Sequence, residues 1–226
     1  MNIGILFSGG KDSVFTTYYY QQQGWTVSCL VTLLSEHPDS WMFHTPNISL
    51  TSLQAQAMHI PLLHYTTPGV QEEELAELRD ALLIAKKQFH ITGLAVGALA
   101  SDYQHERVNR VCEEVGLKCF APLWHKDQQQ LLAEMIDAGF SIIIQHIASD
   151  CLDCSWLGKV IDRDMYQQLV ALHAKMSFHV AGEGGEFETL VVDGPNFYTS
   201  LLLTQTTIVR EHEYCGTLVI TDAQLV

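Results

Sequence analysis

The chain has 226 residues, of which 47% are hydrophobic and 17% are charged. A chain of this length and balance can bury a sizeable core, in one large or two small domains, and it is too apolar to be disordered. No apolar run reaches the roughly 18 residues that a membrane-spanning helix requires. The net charge is −14, from 26 acidic and 12 basic residues, and such a surface repels the phosphates of nucleic acids.

The start of the chain lacks the pattern of a secretory signal. Met1 and Asn2 lead, without a basic flank, into a short apolar run that ends at a glycine loop. We therefore expect a cytoplasmic protein that binds neither membranes nor nucleic acids. The six cysteines are scattered, and in the cytosol the default for such residues is a reduced, buried thiol.

Apolar runs alternate with helical patterns over the first part of the chain. Strands are predicted over residues 2–7, 25–34, 61–66, 93–100 and 118–124. Helices are predicted over residues 12–23, 49–58, 71–89 and 102–115. This alternation predicts an α/β domain, residues 1–130, with a doubly wound, parallel, five-stranded sheet.

The remainder of the chain has a different pattern. A helix at 127–138 and a strand at 140–148 precede a further helix at 162–176. Strand-like runs are then predicted over residues 178–181, 189–192, 201–210 and 217–220. We interpret residues 131–226 as a smaller C-terminal α+β portion, although no linker rich in Gly, Ser or Pro marks the boundary.

A glycine-rich loop separates the first strand from the first helix. It consists of Ser8, Gly9, Gly10, Lys11, Asp12 and Ser13. Adjacent glycines let backbone N–H groups converge on an anion, the helix N-terminus adds partial positive charge, and Lys11 adds a full one. Ser8 and Ser13 can donate to phosphate oxygens. The loop therefore predicts a phosphate site at the carboxyl end of a strand; the alternative is a plain strand–helix turn.

Two other glycine loops do not fit this segment. A Walker A loop would need glycine where Ile5 stands and Ser or Thr where Asp12 stands. The dinucleotide fingerprint needs three spaced glycines, and only an adjacent pair is present. The segment instead resembles the loop of the PP-loop (adenine nucleotide α-hydrolase-like) ATP pyrophosphatases. That resemblance implies a PP-loop ATPase type of fold, with ATP held by residues 8–13 and cleaved between its α and β phosphates.

Four further segments resemble one family, the diphthine–ammonia ligases, and the resemblance runs over nearly the whole chain. They are Ser-Glu-His through Trp-Met-Phe-His-Thr at 35–45, Gly-Ala-Leu-Ala-Ser-Asp-Tyr-Gln through Arg107 at 97–107, Leu-Asp with Ser-Trp-Leu-Gly at 152–158, and His-Val-Ala-Gly-Glu-Gly-Gly-Glu-Phe-Glu-Thr at 179–189. The last is the most specific of the four.

The first two of these segments follow predicted strand ends, on the same edge of the sheet as the glycine loop. The residues that we expect to contact ATP there are His44, Ser101, Gln104 and Arg107. Arg107 could clamp phosphates in a bidentate way that lysine cannot. The alternatives are an exposed helix arginine for Arg107 and a hydrogen-bonded loop histidine for His44.

Residues 182–188 contain three glycines and three glutamates. Like charges this close are unfavourable unless a cation such as Mg²⁺, ammonium or a cationic substrate compensates them; a tight solvated turn is the alternative. The family's substrate, diphthine, is a modified histidine with a trimethylammonium group, which acidic side chains and a cation–π contact would suit. We predict as catalytic residues Lys11, Asp12, Glu183, Glu186 and Glu188. We predict as substrate-binding residues Tyr103, Trp156, Gly182, Gly184 and Gly185.

The reaction that the resemblance implies is an ATP-dependent amidation. The diphthine carboxylate of translation elongation factor 2 attacks the α-phosphate, pyrophosphate leaves, and ammonium supplies the nitrogen that displaces AMP. Lys11 and the loop amides would stabilise the phosphate charge, and Mg²⁺ would bridge the phosphates through protein ligands that the sequence does not identify. The sequence leaves open whether the chain forms a homodimer.

The chain departs from the family pattern at two places. Cys151 and Cys154 replace the Gly and Glu that are common around Leu-Asp, and His105 stands where Arg is frequent. A second Cys pair at metal spacing is missing, so these cysteines are a weak zinc site, a redox pair or ordinary thiols. The alternative functions are a PP-loop enzyme that adenylates or amidates another small-molecule carboxylate, and a nucleotide-binding protein without turnover.

Overall fold

The computed structural model describes residues 1–35, 46–67, 74–97, 102–176 and 178–226. Its first sheet contains five strands, all parallel, in the order β3-β2-β1-β4-β5. These strands are β1 Asn2–Leu6, β2 Thr26–Ser35, β3 Leu62–Thr67, β4 Gly93–Ala95 and β5 Lys118–Phe120. The strand order reverses beside β1, which confirms the predicted doubly wound parallel sheet.

Six α-helices connect or follow the described strands, and a 3₁₀ turn at Ile48–Leu50 precedes the second helix. They are α1 Lys11–Gln22, α2 Thr51–Ala57, α3 Glu74–Phe89, α4 Asp102–Glu114, α5 Gln128–Asp137 and α6 Arg163–Met176. Helix α3 shows why they form, since Leu78, Ala81, Leu82 and Ala85 make one buried stripe at helical spacing. No helix in the described part of the chain is long and apolar enough to cross a bilayer.

The second sheet has four antiparallel strands in the order β7-β6-β9-β8. They are β6 Ser141–Ala148, β7 Phe187–Asp193, β8 Leu201–His212 and β9 Cys215–Leu225. This sheet confirms the predicted C-terminal α+β portion. The strand predicted at 178–181 is wrong, because the chain turns there: the Gly182 N–H donates to the His179 carbonyl oxygen at 2.8 Å, and Gly182 has a positive φ of 74°.

The two sheets share a hydrophobic core. Ile3 and Ile5 of β1 belong to the same buried cluster as Ile142 and Ile144 of β6. The opposite face of the parallel sheet packs, through residues such as Leu94, against α3 and α4 in a second cluster. Side chains alternate along a strand, so β1 and its neighbours supply both cores. The predicted boundary between residues 130 and 131 falls inside α5 and stays a prediction.

Candidate functional site

The glycine loop joins β1 to α1 at the carboxyl end of the parallel sheet. Gly9 adopts a positive φ of 79°, and a side chain there would also collide with the Gln54 side chain. Gly10 is extended and caps α1, which begins at Lys11. Only glycine fits the first of these positions without strain. The loop thus sets the start of α1 at the carboxyl end of the parallel sheet, where a helix N-terminus can receive an anion.

Two serines brace this loop from inside. The Ser8 N–H donates to Ser13 Oγ at 3.3 Å, and the Ser13 hydroxyl donates to the Gly10 carbonyl oxygen at 3.0 Å. The two hydroxyl oxygens lie 3.3 Å apart. Ser8 and Ser13 thus lie together with the glycines, and their predicted contact with phosphate stays a prediction.

Lys11 and Asp12 form an ion pair at the first turn of α1. Lys11 Nζ lies 2.7 Å from Asp12 Oδ2, and the Lys11 side chain is only 5% exposed. The other carboxylate oxygen, Asp12 Oδ1, is buried and has no hydrogen-bond partner among the described residues. A buried carboxylate oxygen without a partner is a fit ligand for a hard divalent cation.

The start of the second family segment packs against the same turn. A Cβ added to Gly97 would lie 2.7 Å from the Asp12 carbonyl carbon, so β4 continues into close contact with α1. Helix α4 then carries Arg107, which is half-buried and engaged in an interaction. Ser101 lies outside the described residues.

The C-terminal sheet docks its strand β7 onto the glycine loop. The Lys11 N–H donates to Thr189 Oγ1 at 3.1 Å, and the Val191 N–H donates to the Gly9 carbonyl oxygen at 3.1 Å. Gln54 of α2 adds two donations from Nε2, to the Gly9 carbonyl oxygen at 2.8 Å and to the Val191 carbonyl oxygen at 2.7 Å. The most specific family segment therefore lies directly against the predicted phosphate loop.

The turn before β7 is closed by one of its own glutamates. Glu186 Oε1 accepts from the His179 N–H at 2.8 Å, and Oε2 accepts from the Gly184 N–H at 2.9 Å. A Cβ on Gly182 would lie 2.6 Å from the Phe187 carbonyl oxygen, so only glycine permits this close return of the chain. Gly185 also has a positive φ, of 86°. The glycines and Glu186 thus shape a tight turn.

Glu188 lies on β7 in a different environment. It pairs in register with His146 of β6, whose Nδ1 is 2.9 Å from Thr217 Oγ1 on β9. Burial raises the pKa of the Glu188 carboxyl to about 7. Glu188 is therefore a carboxylate that a nearby cation would stabilise. Glu183 is half-buried in the preceding turn and is engaged in an interaction.

Three residues of this site were not predicted from the sequence. His179 and Thr189 lie inside the fourth segment, where only its glycines and glutamates were given roles. Burial, together with the positive charges of Lys11 and His173, lowers the pKa of His179. Gln54 carries no sequence signal, because a buried glutamine of α2 cannot be distinguished from an exposed one by residue type.

Other predicted residues are not brought to the loop by described contacts. His44 lies outside the described residues, as do the side chains of Tyr103 and Gln104 on α4. The chain just after Trp156 pairs with β6, where the Gly158 N–H donates to the Ile144 carbonyl oxygen at 2.9 Å. Ile144 also pairs with Thr189 of β7, so β6 separates this chain segment from β7.

The two cysteines of the third segment have separate surroundings. Cys151 Sγ lies 3.6 Å from Met176 Sδ, and Cys154 is buried beside Gly216. Both are free thiols. Within the described ranges, no group of three or more His, Cys, Asp or Glu side chains is arranged to hold a metal ion.

The strand order and the Ser-Gly-Gly-Lys-Asp-Ser loop at the first strand–helix junction define a PP-loop type of nucleotide-binding α/β protein. The family model described as the diphthamide synthase N-terminal domain matches residues 1–119, and the model for the C-terminal domain matches residues 127–226. The chain belongs to the diphthine–ammonia ligase family.

Curated relatives agree with this assignment. The diphthine–ammonia ligases of Bos taurus and Homo sapiens are each 33% identical over 92% of this chain and 85% of their own length. The Danio rerio enzyme is 34% identical over 91% of this chain and 88% of its length. A solved chain from Methanocaldococcus jannaschii, described as a predicted subunit of tRNA methyltransferase, aligns over 86% of this chain with a TM-score of 0.43 and 18% identity. The fold assignment rests on the strand order instead.

Proposed function

We propose that this protein uses ATP and ammonium to amidate the diphthine carboxylate of translation elongation factor 2 in the cytoplasm. The observation that carries the proposal is the docking of β7 on the glycine loop, through Thr189 on Lys11 and Val191 on Gly9. This contact brings the segment most specific to the family to the place where ATP phosphates would be held. Family membership supplies the substrate class.

The glycine loop is the part that would hold ATP. The start of α1 offers N–H groups and partial positive charge, Lys11 adds a full charge, and Ser8 and Ser13 offer hydroxyl groups. These groups would stabilise the negative charge that develops as the bond between the α and β phosphates breaks. We assign His44, Ser101, Gln104 and Arg107 to the same nucleotide.

Asp12 is the residue that best fits a magnesium ion. Its Oδ1 is buried without a partner in the described structure, and its Oδ2 is already held by Lys11. Carboxylate oxygens are the protein ligands that Mg²⁺ prefers beside phosphates. When bound, the ion would neutralise phosphate charge and orient the leaving pyrophosphate.

The turn at 182–188 would hold the acceptor. We assign Glu188 to a cationic partner, the trimethylammonium group or ammonium, because a desolvated carboxylate gains most from a cation. We assign Glu183 to the same partners because it lies in the same acidic turn. Glu186 would act by keeping the turn in shape for catalysis. The backbone around Gly182, Gly184 and Gly185 would contact the modified side chain, and we assign Tyr103 and Trp156 to its outer parts.

The chemistry has two steps. A carboxylate oxygen of diphthine attacks the α-phosphorus and pyrophosphate leaves, which gives an acyl-adenylate. Ammonia then attacks the acyl carbon, the bond to the phosphate oxygen breaks, and AMP leaves. In this scheme residues 1–130 activate the carboxylate and residues 131–226 position it.

The long exposed edge strand β8 is compatible with a homodimer, which light scattering would test.

The test incubates the protein with ATP, ammonium and diphthine-bearing elongation factor 2, and follows AMP and the mass of the factor. We expect both products from the wild type, and a loss of about 10²-fold or more for Lys11→Ala. Lys87→Ala, at an exposed lysine of α3, is the matched control and should retain activity. AMP formed on another carboxylate, with no change in the factor, would favour the alternative PP-loop enzyme. Full turnover by Lys11→Ala would contradict the role of the loop.

A further inference from the structure

The ring of His179 has an unused polar atom beside the proposed site. Its Nδ1 is buried and has no hydrogen-bond partner among the residues that the structure describes. Buried polar atoms in folded proteins nearly always have partners, so an exception needs an explanation such as a ligand or a catalytic role. The nearby carboxylate of Glu186 makes no hydrogen bond to this atom; its two oxygens accept from backbone N–H groups.

The backbone that carries this ring is held in place on both sides. The His179 N–H donates to Glu186 at 2.8 Å, and its carbonyl oxygen accepts from the Gly182 N–H at 2.8 Å. One residue earlier, the Phe178 carbonyl oxygen lies 2.6 Å from His173 Nδ1 on α6. A group fixed in this way needs no reorganisation when a substrate arrives, which is what proton transfer in an enzyme requires.

The charges around the ring keep it neutral at physiological pH. Burial is the largest effect and lowers the pKa of His179, and the positive charges of Lys11 and His173 lower it further. The carboxylate of Glu186 acts in the opposite direction without reversing the shift. A neutral imidazole carries one nitrogen that can accept a proton. The bond from the His179 N–H to Glu186, three residues before Thr189, ties this segment to the strand that docks on the phosphate loop.

We propose that His179, through Nδ1, accepts a proton from the ammonia-derived nitrogen during the amidation step. The inference rests on the function proposed above. The nitrogen lone pair forms the C–N bond, the electron pair of the acyl–phosphate C–O bond leaves with AMP, and one nitrogen proton passes to Nδ1. The imidazolium then returns this proton to water. The first step, formation of the acyl-adenylate, needs no such acceptor.

The experiment separates the two steps with the substitution His179→Asn, which keeps an amide near the position of Nδ1 but cannot take a proton. Exchange of pyrophosphate into ATP reports adenylation, and the amide on the factor reports the second step. We expect exchange within about threefold of the wild type and amidation reduced by about 10²–10⁴-fold. His90→Asn, at an exposed histidine after α3 whose positive φ of 53° asparagine tolerates, should affect neither readout.

A second nucleophile makes the test specific to proton transfer. Hydroxylamine is neutral at the assay pH, and its adduct releases a proton to water more readily than the ammonia adduct. It should therefore restore acyl transfer by His179→Asn to within about tenfold of the wild type. Equal activity of the variant and the wild type with ammonium, or equal loss of exchange and amidation, would overturn the proposal. If the wild type itself does not amidate diphthine, the proposed function has failed instead.

The wild type gives an independent readout should His179→Asn not fold. With the free ammonia concentration held constant, amidation should fall with decreasing pH as one group of pKa below the ordinary histidine value becomes protonated. The same profile with hydroxylamine should lack this step. An identical profile for both nucleophiles would exclude His179 as the proton acceptor.

Discussion

Two glutamates two residues apart have opposite surroundings in this site. Both oxygens of Glu186 accept backbone N–H groups at 2.8 and 2.9 Å, so its charge is used to close a turn. Glu188 is instead desolvated on β7, which raises its pKa to about 7. Similar residues with separate environments commonly have separate roles in catalysis. Glu188, whose desolvated carboxylate destabilises the fold, is therefore the stronger candidate for contact with a cation.

The substitution Glu188→Gln should stabilise the protein increasingly as the pH rises. A carboxyl whose pKa is raised on folding, here from 4.5 to about 7, stabilises the folded state at low pH and loses this contribution as the pH rises through 7. The gain in unfolding free energy should grow by about 2 kcal/mol between about pH 5 and pH 8. Urea unfolding at both pH values measures it. A gain independent of pH would contradict the raised pKa.

The matched substitution Glu186→Gln should instead lower the unfolding free energy of the protein. The amide can accept only one of the two backbone donors and turns an N–H group towards the other. We expect a loss of about 1 kcal/mol, because one backbone donor, in a half-buried or exposed position, loses its charged acceptor. The same urea titration measures this loss. Stability equal to the wild type would show that the two bonds of Glu186 do not hold the turn.

The sequence alone could locate these residues but could not separate their roles. The segment at 179–189 indicated a site through its glycines and its excess of negative charge. Which glutamate is bonded depends on the path of the turn, and which is desolvated depends on the neighbouring strand β6. Neither is encoded in residue type. The orphaned Nδ1 of His179 likewise becomes visible only once the packing is known.

At the scale of elements, the short helix α2 connects the glycine loop to the second sheet. Gln54 is fully buried, and its Nε2 donates to the carbonyl oxygens of Gly9 and Val191. One side chain therefore joins a loop that lies 45 positions before it to a strand that lies 137 positions after it. The geometry of the phosphate site depends on this link.

Removing the link should weaken both the fold and the binding of ATP. The substitution Gln54→Leu leaves the buried Val191 carbonyl oxygen without this donor and frees Gly9, at a cost of about 1–3 kcal/mol in unfolding free energy. We expect a KM for ATP raised by about tenfold, since the loop must then be ordered by the ligand. Gln56→Leu, at an exposed position of the same helix, is the control. Equal effects of both substitutions would contradict the role of Gln54.

The elements of the first sheet were predictable because the apolar runs that indicate strands end at glycines that indicate turns. The predicted ends of the strands were less accurate: β4 was expected over 93–100, and the described strand is Gly93–Ala95. Tertiary contact ends it, since Gly97 already packs on α1. The false strand at 178–181 has an apolar run, but the positive φ of Gly182 turns the chain back before a strand can form.

At the scale of the whole molecule, one residue ties the connection between β2 and α2 to the second sheet, in addition to the core that the two sheets share. Asn47 Nδ2 donates to Gln145 Oε1 at 3.0 Å and to the Leu218 carbonyl oxygen at 2.9 Å. Asn47 Oδ1 accepts from the Ile220 N–H at 2.9 Å. The residue has a positive φ of 55°, a conformation that Asn tolerates better than most residues.

The shared core predicts that the chain unfolds as one unit, although chains of this length often populate intermediates. Far-UV circular dichroism and tryptophan fluorescence should report the same urea midpoint.

Asn47→Gly should lower the unfolding free energy by about 2–4 kcal/mol and keep one transition, because it removes three bonds but permits the same φ. His90→Gly, at an exposed residue with a φ of 53°, should leave stability nearly unchanged. Two separate transitions in the wild type would mean that the two sheets unfold independently. The hydrogen bonds of Asn47 would then have no effect on the stability of the parallel sheet.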